Sequence, residues 1–301
     1  MRAAVVALAL LLLHGFAAAA EPAGGSDARP GPPPGAAGGL AGPPPPLPLE
    51  GYLPVYFVST WDGINHPGRE AREMAYQISF RVPLWRFAAT PDPDAPIDRH
   101  GLYFAYTQKS FWQVWDSSAQ NSRSFRESDF APELVTYTAP DWRLADRTTL
   151  SLQFTPWQHE SNGQALGPSK SWDRTYARAS LRLADLLVGV KHWWRWGEGA
   201  AAATAVNSRE DDNPDIEFYL GRFELTLVLP YRSRWEQPSR WRLETFFRQG
   251  WREDSFTAQV DLGVLLSERV YLIFHTFDGY GESLIDYKTR VSKVGVGFAA
   301  Y

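Results

Sequence analysis

Asp173–Leu183 reads D-R-T-Y-A-R-A-S-L-R-L, and this run decides the fold class because two kinds of residue alternate along it. One set of alternate positions begins with Asp173, and its other members are small or apolar residues: Thr175, Ala177, Ala179, Leu181 and Leu183. The positions between them carry mostly charged or aromatic residues: Arg174, Tyr176, Arg178 and Arg182. Successive side chains of a β-strand point to opposite faces of its sheet. The alternation therefore predicts a strand with one largely apolar face and one charged face.

The same alternation recurs along the rest of the chain in pieces of about ten residues, separated by polar or Gly/Pro-containing turns. We expect about twelve strands on this pattern. They lie near 51–60, 74–85, 101–115, 130–139, 148–161, 171–184, 186–197, 215–230, 239–249, 254–266, 269–279 and 289–301. Beyond the N-terminal region, no continuous apolar stretch is long enough for a membrane-spanning helix. The chain is therefore predicted to be all-β.

The alternation fits two architectures. A soluble sandwich would turn the apolar face inward, and an outer-membrane barrel would turn it toward lipid. An export signal, an even number of strands and aromatic residues at segment ends, such as Trp193, Trp194 and Trp196, favour the barrel. We expect a twelve-stranded antiparallel transmembrane β-barrel. Long Arg and Glu side chains should fill its lumen rather than leave a wide channel.

The N-terminal region predicts export. Residues 1–20 have the order of a signal peptide: Arg2, an apolar core over Val5–Leu13, and small residues up to Ala20. Residues 21–50 are mostly Pro, Gly and Ala and predict a flexible linker, which leaves 51–301 for the barrel domain. The chain has no cysteine, which excludes disulfides and a lipid-anchored N-terminus. A net charge of −4 without a basic patch argues against a nucleic-acid partner.

The segment before the opening run carries the candidate chemistry. Trp157–Asp173 reads W-Q-H-E-S-N-G-Q-A-L-G-P-S-K-S-W-D. His159 and Ser161 are two residues apart and would share one face of a strand, and a Gly/Pro-rich turn would bring Asp173 beside His159. A hydroxyl, an imidazole and a carboxylate within reach form a nucleophile–base–orienter relay. The alternative interpretation is a solvated loop whose polar residues do no chemistry.

The inward–outward alternation of side chains changes partway along the predicted strand 148–161. Leu152 and Phe154 are out of phase with His159 and Ser161, so a regular strand would turn the two pairs to opposite faces. Pro156 cannot donate a backbone hydrogen bond to a neighbouring strand. We therefore predict a β-bulge at Pro156 that brings both pairs onto one face.

Five runs, one of which is this hairpin, resemble the outer-membrane phospholipase A family of Gram-negative bacteria, from about residue 74 to the end. The runs are Tyr106–Ser110, Phe125–Glu127, His159–Arg174, Asp211–Asp215 and Gly279–Tyr287. The resemblance implies a twelve-stranded barrel in the outer membrane, with phospholipids as substrate. It implies calcium-dependent hydrolysis of the sn-1 and sn-2 acyl esters of phospholipids and lysophospholipids by a homodimer.

By position, the resemblance makes Ser161 the nucleophile, His159 the general base and Asp173 the third member. Most family members have Asn where this chain has Asp173. A carboxylate fixes the same imidazole tautomer and stabilises the imidazolium better than an amide does. The oxyanion hole corresponds to the backbone N–H of Gly163, assisted by a calcium-bound water.

The calcium ligands also come from the resemblance, and oxygen donors of this kind suit calcium. They are the carbonyl of Gln164, the hydroxyl of Ser169 and the carbonyl near Ser122 donated by the partner subunit. A second, monomer-type calcium site in the family uses two acids. Asp212 matches one of them, and Leu166 stands in place of the other.

Gln108 lies on an otherwise apolar face. It is expected to form a hydrogen bond across the dimer interface, as the resemblance implies, and the alternative is a snorkelling or interfacial glutamine. Two rival functions also stay open. One is a catalytically silent barrel that acts as a pore or scaffold. The other is a different outer-membrane hydrolase, either a lipopolysaccharide deacylase or a protease.

Overall fold

The computed structural model describes eight ranges of the chain. These are 49–66, 69–86, 101–116, 124–137, 142–164, 168–196, 212–232 and 236–301. The predicted signal peptide and nearly all of the predicted linker lie outside these ranges. So do Ser122, Leu166 and Asp211.

Fourteen β-strands and a short helix make up the described part of the chain. The strands are β1 (Glu50–Gly51), β2 (Val55–Asp62), β3 (Arg72–Arg86), β4 (Gly101–Trp112), β5 (Phe125–Tyr137), β6 (Trp142–Ala145), β7 (Thr148–Ser161), β8 (Ser171–Leu183), β9 (Leu186–Arg195), β10 (Phe223–Leu229), β11 (Trp241–Gln249), β12 (Phe256–Ser267), β13 (Val270–Gly279) and β14 (Val291–Ala300). The helix is α1 (Ile216–Leu220). In the described ranges, no helix has both the length and the apolarity needed to cross a membrane.

The sheet closes on itself. Its antiparallel order runs β3-β2-β14-β13-β12-β11-β10-β9-β8-β7-β5-β4, and β4 pairs again with β3. Short β1 extends the line of β2 along β3, and short β6 extends the line of β5 along β7. Twelve staves result, so the predicted twelve-stranded antiparallel barrel is confirmed. Closure pairs backbone groups that an open sheet edge would leave exposed to lipid.

The outer wall is apolar. On β13, Leu272 and Phe274 point outward and are 40% and 49% exposed, whereas Ile273 and Phe277 point inward and are 2% exposed. Strand β14 follows the same rule with Val294, Val296 and Phe298 outward. An apolar exterior of this kind is expected of a barrel solvated by lipid.

The lumen is filled with paired charges. Lys293 is 2% exposed and contacts the carboxylates of Glu73 and Glu282. Arg126 donates from Nε to Glu73 at 3.0 Å and also contacts Asp286. Charges removed from water must be paired in this way, or burial is strongly unfavourable. The expected network of long charged side chains in the lumen is confirmed.

One end of the lumen is closed by an apolar plug. The segment between β13 and β14 turns inward, so that Leu284 and Tyr287 are buried against Ile216 and Leu220 of α1. The backbone N–H of Ile285 donates to Glu127 at 2.7 Å and ties the segment to the wall. The turn between β7 and β8 lies at this same end, because antiparallel strands alternate in direction around the barrel.

The largest difference from the expected strands lies in one segment. The predicted strand 215–230 begins as helix α1 and becomes a strand only at Phe223. Ile216 and Leu220 are four residues apart, so one face of the helix can bury both of them. Gly221, at a φ of +64°, follows the helix in a conformation that favours glycine.

Candidate active site

The bulge predicted at Pro156 is confirmed by the pairing of β7 with β8. Thr155 lies opposite Tyr176, and the next pair is Gln158 opposite Arg174, so two residues of β7 face one residue of β8. Thr175, the residue between, donates its hydroxyl hydrogen to the carbonyl of Pro156 at 2.8 Å and fastens the bulge.

The shift of phase sets the direction of the candidate residues. Phe154, before the bulge, points outward and is 40% exposed. Asp173 alternates along β8 with the buried Trp172 and Arg174, so it points outward as well. His159 lies directly opposite Asp173 and therefore shares its face. The polar pair is on the outer wall, as the sequence predicts.

The structure brings His159 and Asp173 into contact. Nδ1 of His159 lies 3.1 Å from Oδ1 of Asp173, and the two side chains are 31% and 28% exposed. The same Oδ1 accepts a hydrogen bond from the indole N–H of Trp157 at 3.1 Å. A carboxylate at Nδ1 holds the proton there, which leaves Nε2 unprotonated and able to accept a proton.

Ser161 ends β7 two residues after His159, so its half-buried side chain lies on the same outer face. It is directly opposite Ser171 on β8 and Phe130 on β5. The contact that the structure shows within the predicted relay is the one between His159 and Asp173. Ser161 lies beside this pair, so the wall presents a hydroxyl next to an oriented imidazole.

Gly163, the predicted oxyanion residue, has a conformation that a side chain would strain. Its φ is +64°, and a Cβ at this position would lie 3.0 Å from Cε2 of Phe130. The backbone can therefore pass close to the Phe130 ring only because Gly163 has no side chain.

Asn162 closes the turn that follows the candidate nucleophile. Its Oδ1 accepts the backbone N–H groups of Gln164 at 3.2 Å and Lys170 at 3.0 Å, and its Nδ2 donates to the carbonyl of Pro168 at 2.8 Å. Asn162 is 3% exposed. Its side chain thus ties the two ends of the loop together, with Gln164 at one end and Ser169 at the other.

This closed loop suits a calcium ion bound by neutral oxygens. Gln164 is exposed and Ser169 is half-buried, so both residues lie at the surface of the loop. Among the described residues, no group of three or more His, Cys, Asp or Glu side chains could hold a metal. Calcium at this place would depend on carbonyl and hydroxyl donors, which it accepts.

The segment that contains Asp212 grips the start of β8. Asp212 Oδ1 accepts the backbone N–H of Ser171 at 3.0 Å, and Asn213 Nδ2 donates to the carbonyl of Ser171 at 2.9 Å. Asn213 is 0% exposed and accepts from Arg195 at 2.5 Å. One oxygen of Asp212 is therefore engaged in positioning the strand that carries Asp173. The other member of the predicted acid-pair site, Leu166, lies outside the described residues.

Gln108 belongs to a chain of hydrogen bonds on the outer wall. Tyr106 donates to its Oε1 at 3.1 Å, and its Nε2 donates to the hydroxyl of Ser110 at 3.0 Å. Ser110 lies 2.8 Å from the hydroxyl of Ser128 on the next strand. Each end of the Gln108 amide thus has one hydrogen-bond partner on β4, and the residue is half-buried.

Three residues shape this site in ways that the sequence did not predict: Trp157, Asn162 and Asn213. The sequence placed Asn162 in the turn but not its side-chain hydrogen bonds, although an Asn side chain in a turn commonly bonds the backbone two residues on. The contact of Asn213 with Ser171 spans 42 positions in the chain. No local pattern carries such a contact.

The family model described as phospholipase A1 matches residues 58–300 of this chain. Phospholipase A1 of Salmonella typhimurium is 32% identical over 240 residues, which cover 80% of this chain and 73% of the relative. Phospholipase A1 of Escherichia coli K12 is also 32% identical, over 75% of this chain and 68% of the relative.

Two solved structures of outer membrane phospholipases are similar to this chain. An active-site mutant of outer membrane phospholipase A from Escherichia coli has a TM-score of 0.70 and 29% identity, covering 87% of this chain and 95% of that chain. The Salmonella typhi outer membrane phospholipase dimer with bound calcium has a TM-score of 0.69 and 29% identity. It covers 85% of this chain and 94% of that chain.

Proposed function

This chain belongs to the phospholipase A1 family of outer-membrane barrel enzymes, and we propose that it hydrolyses phospholipid acyl esters with a Ser161–His159–Asp173 relay. The observation that carries the proposal is the contact of His159 with Asp173 on the outer wall, beside Ser161. The proposed substrates are the sn-1 and sn-2 esters of phospholipids and lysophospholipids.

The chemistry follows from the roles of the three groups. Ser161 Oγ attacks the ester carbonyl carbon while His159 Nε2 takes the hydroxyl proton, and Asp173 holds the imidazole through Nδ1. The tetrahedral intermediate collapses, the bond to the glycerol oxygen breaks, and His159 returns its proton to that oxygen. Water then attacks the acyl-serine by the same route and releases a fatty acid. The backbone N–H of Gly163 is the proposed donor to the developing oxyanion.

The position on the outer wall supports a membrane substrate. A lipid whose acyl chains pack against the apolar exterior can bring its ester to Ser161 without leaving the bilayer. A soluble substrate would find no comparable advantage in an exterior site. The filled and plugged lumen also argues against a wide pore through the described part of the barrel.

Calcium would be held by the carbonyl of Gln164 and the hydroxyl of Ser169, with a carbonyl near Ser122 of the partner subunit. When bound there, the ion supplies positive charge close to the developing oxyanion. The oxygen donors and the closed loop fit such an ion, as described above. Asn162 holds that loop in shape through its three side-chain hydrogen bonds.

The proposal includes a homodimer as the active form. Gln108 and its hydrogen-bonded neighbours provide a polar patch on an apolar wall, which is a common basis for association in a membrane.

Residues 1–20 are proposed to be removed on export and residues 21–50 to act as a linker. The mass of the mature protein tests the cleavage site.

The experiment is hydrolysis of defined phospholipids by the refolded full-length barrel, with calcium or with a chelator. We expect calcium-dependent release of fatty acid by the parent protein and none by Ser161→Ala. Ser180→Ala is the matched control, since Ser180 lies on β8 near the other end of the hairpin. Unchanged hydrolysis by Ser161→Ala would contradict the proposed catalytic relay. Deacylation of lipopolysaccharide or cleavage of peptides alone, without phospholipid hydrolysis, would assign a different enzyme.

A further inference from the structure

The indole of Trp157 makes a contact within the relay that the relay itself does not require. Its Nε1–H donates to Asp173 Oδ1 at 3.1 Å, on the same oxygen that His159 contacts. Its ring lies nearly parallel to that of His159, with an interplanar angle of 14° and centroids 6.5 Å apart. We propose that Trp157 is a positioning residue that holds the Asp173 carboxylate in place and aimed at His159. This inference rests on the proposed relay.

The need for a second donor comes from the surroundings of Asp173. Its carboxylate lies on an apolar outer wall, where few water molecules are available to solvate a charge. Hydrogen bonds to the charged form of a carboxylate favour that form. His159 provides one such donor, and Trp157 provides another.

Tryptophan suits this task on a surface that faces lipid. Its indole has a single N–H donor and is otherwise apolar, so it can donate without bringing a further charge into the membrane. An arginine or a lysine at this position would donate as well, but it would compete with His159 for the carboxylate as an ion pair. The indole supports the carboxylate and leaves the imidazole as its nearest titratable partner.

The bulge holds the indole in place. The two residues that face Thr175 alone are Pro156 and Trp157, so the bulge turns Trp157 onto the outer face. Thr175 bonds the carbonyl of Pro156 and accepts the indole N–H of Trp196 at 2.7 Å. The backbone that precedes the Trp157 side chain is therefore fixed from the neighbouring strand.

The alternative is that Trp157 is one of the aromatic residues that commonly lie at membrane interfaces. Trp194 provides the comparison, because it points outward, is 41% exposed and lies opposite Thr175 on β9. Its ring contacts His192 rather than a carboxylate. If Trp157 acted only as an interface aromatic, removing its N–H would have the same consequence as removing that of Trp194.

The test compares Trp157→Phe with Trp194→Phe across a range of pH, in refolded full-length protein assayed on phospholipid with calcium. For Trp157→Phe we expect about a tenfold loss of kcat/KM near neutral pH, as for a hydrogen bond to a charged group. The acidic limb of its pH profile should also move to higher pH, by about half a unit or more. Trp194→Phe should keep the parent profile and stay within about twofold of the parent rate.

A double-mutant cycle with Asp173→Asn separates positioning from packing. The neutral amide gains less from a second donor, so Trp157→Phe should change the rate of Asp173→Asn by less than about threefold. An equal loss in both backgrounds without a shift of the pH profile would overturn the proposal. So would a Trp157→Phe profile identical to that of Trp194→Phe.

A second variant protects the test against misfolding. Benzothienylalanine at position 157 keeps the shape of the indole and removes only the N–H, and it should reproduce the shift of the acidic limb. A parent-like profile for this variant would overturn the inference. Ser161→Ala distinguishes failure of the proposed relay from failure of the proposed role of Trp157. Hydrolysis by Ser161→Ala would reject the relay itself. An inactive Ser161→Ala together with a parent-like Trp157 variant would reject only the role of Trp157.

Discussion

Gln108 and Ser161 lie at the same level of the outer wall, each directly opposite Phe130, Gln108 from β4 and Ser161 from β7. Neighbouring strands are about 4.8 Å apart, so about 10 Å of wall separates the proposed dimer residue from the proposed nucleophile. A partner subunit seated on Gln108 would therefore border the active site. Association and catalysis are thus expected to be linked through this part of the wall.

Gln108→Leu should weaken self-association. A polar contact between membrane-embedded surfaces contributes on the order of 1 kcal/mol, so the dissociation constant in detergent should rise about fivefold to tenfold. Hydrolysis should fall at low protein-to-detergent ratio and recover at high ratio. Sedimentation equilibrium measures the first effect, and activity titrated against protein concentration measures the second. Thr276→Val, an outward polar residue on β13, is the control.

An activity loss that is the same at every protein concentration would contradict this link. It would place Gln108 in the structure of the monomer rather than at the contact between two subunits.

Gly163→Ala should inactivate the enzyme without unfolding the barrel. The new Cβ would lie 3.0 Å from Phe130, and the φ of +64° would remain strained for alanine. A displaced oxyanion donor costs about a hundredfold or more in kcat. Gly51→Ala is the control, because a Cβ there has no neighbour within 4 Å.

The double variant Gly163→Ala/Phe130→Leu sharpens this prediction. It removes the contact but not the strained φ, so activity should stay low. Full recovery would show that the Phe130 contact alone accounts for the loss.

Asn162→Ala should raise the calcium concentration needed for half-maximal activity by about tenfold, because three hydrogen bonds that close the loop are lost. The rate at saturating calcium should stay within a few-fold of the parent, since the relay residues are untouched. Calcium titration of hydrolysis, after removal of bound metal with a chelator, gives both quantities. A parent-like calcium curve would mean that the loop does not hold the ion.

Asp215 makes the plug sensitive to acid. Burial acts to raise the pKa of Asp215, but hydrogen bonds from Tyr287 at 2.5 Å and Lys288 at 2.9 Å outweigh it, and the pKa lies below its usual value. A depressed folded-state pKa stabilises the fold above the unfolded pKa of about 3.9, and this contribution is lost as the pH falls through the folded value.

Asp215→Asn should therefore lower the denaturant midpoint of the plug at about pH 7 and match the parent at about pH 2. Tyr287→Phe should show the same pattern in part, because one of the two partners remains. Protease susceptibility of the plug in increasing urea measures the midpoint. A deficit for Asp215→Asn that persists at about pH 2 would point to lost packing rather than to the carboxylate charge.

Much of the barrel could be predicted because strand formation is local. The alternation in Asp173–Leu183 follows from the geometry of a single strand, and the structure keeps that strand from Ser171 to Leu183. Pro156 likewise predicted the bulge, because proline has no backbone N–H to donate to the neighbouring strand at that position. The prediction of a strand over 215–230 was wrong at its start, because the helical turn there is stabilised by burial against the distant Leu284 and Tyr287 rather than by its own sequence pattern.

By itself the sequence determined that the chain forms strands, which face of most of them is apolar and that His159 and Ser161 share a face. Only the tertiary structure decided that Trp157 donates to Asp173, that Asn213 grips Ser171 and that Trp193 turns into the lumen while Trp194 turns out. The physical reason is that a strand's period depends on backbone sterics between neighbours. A contact across strands or loops depends instead on register, bulges and barrel closure, which residues far apart in the chain set together.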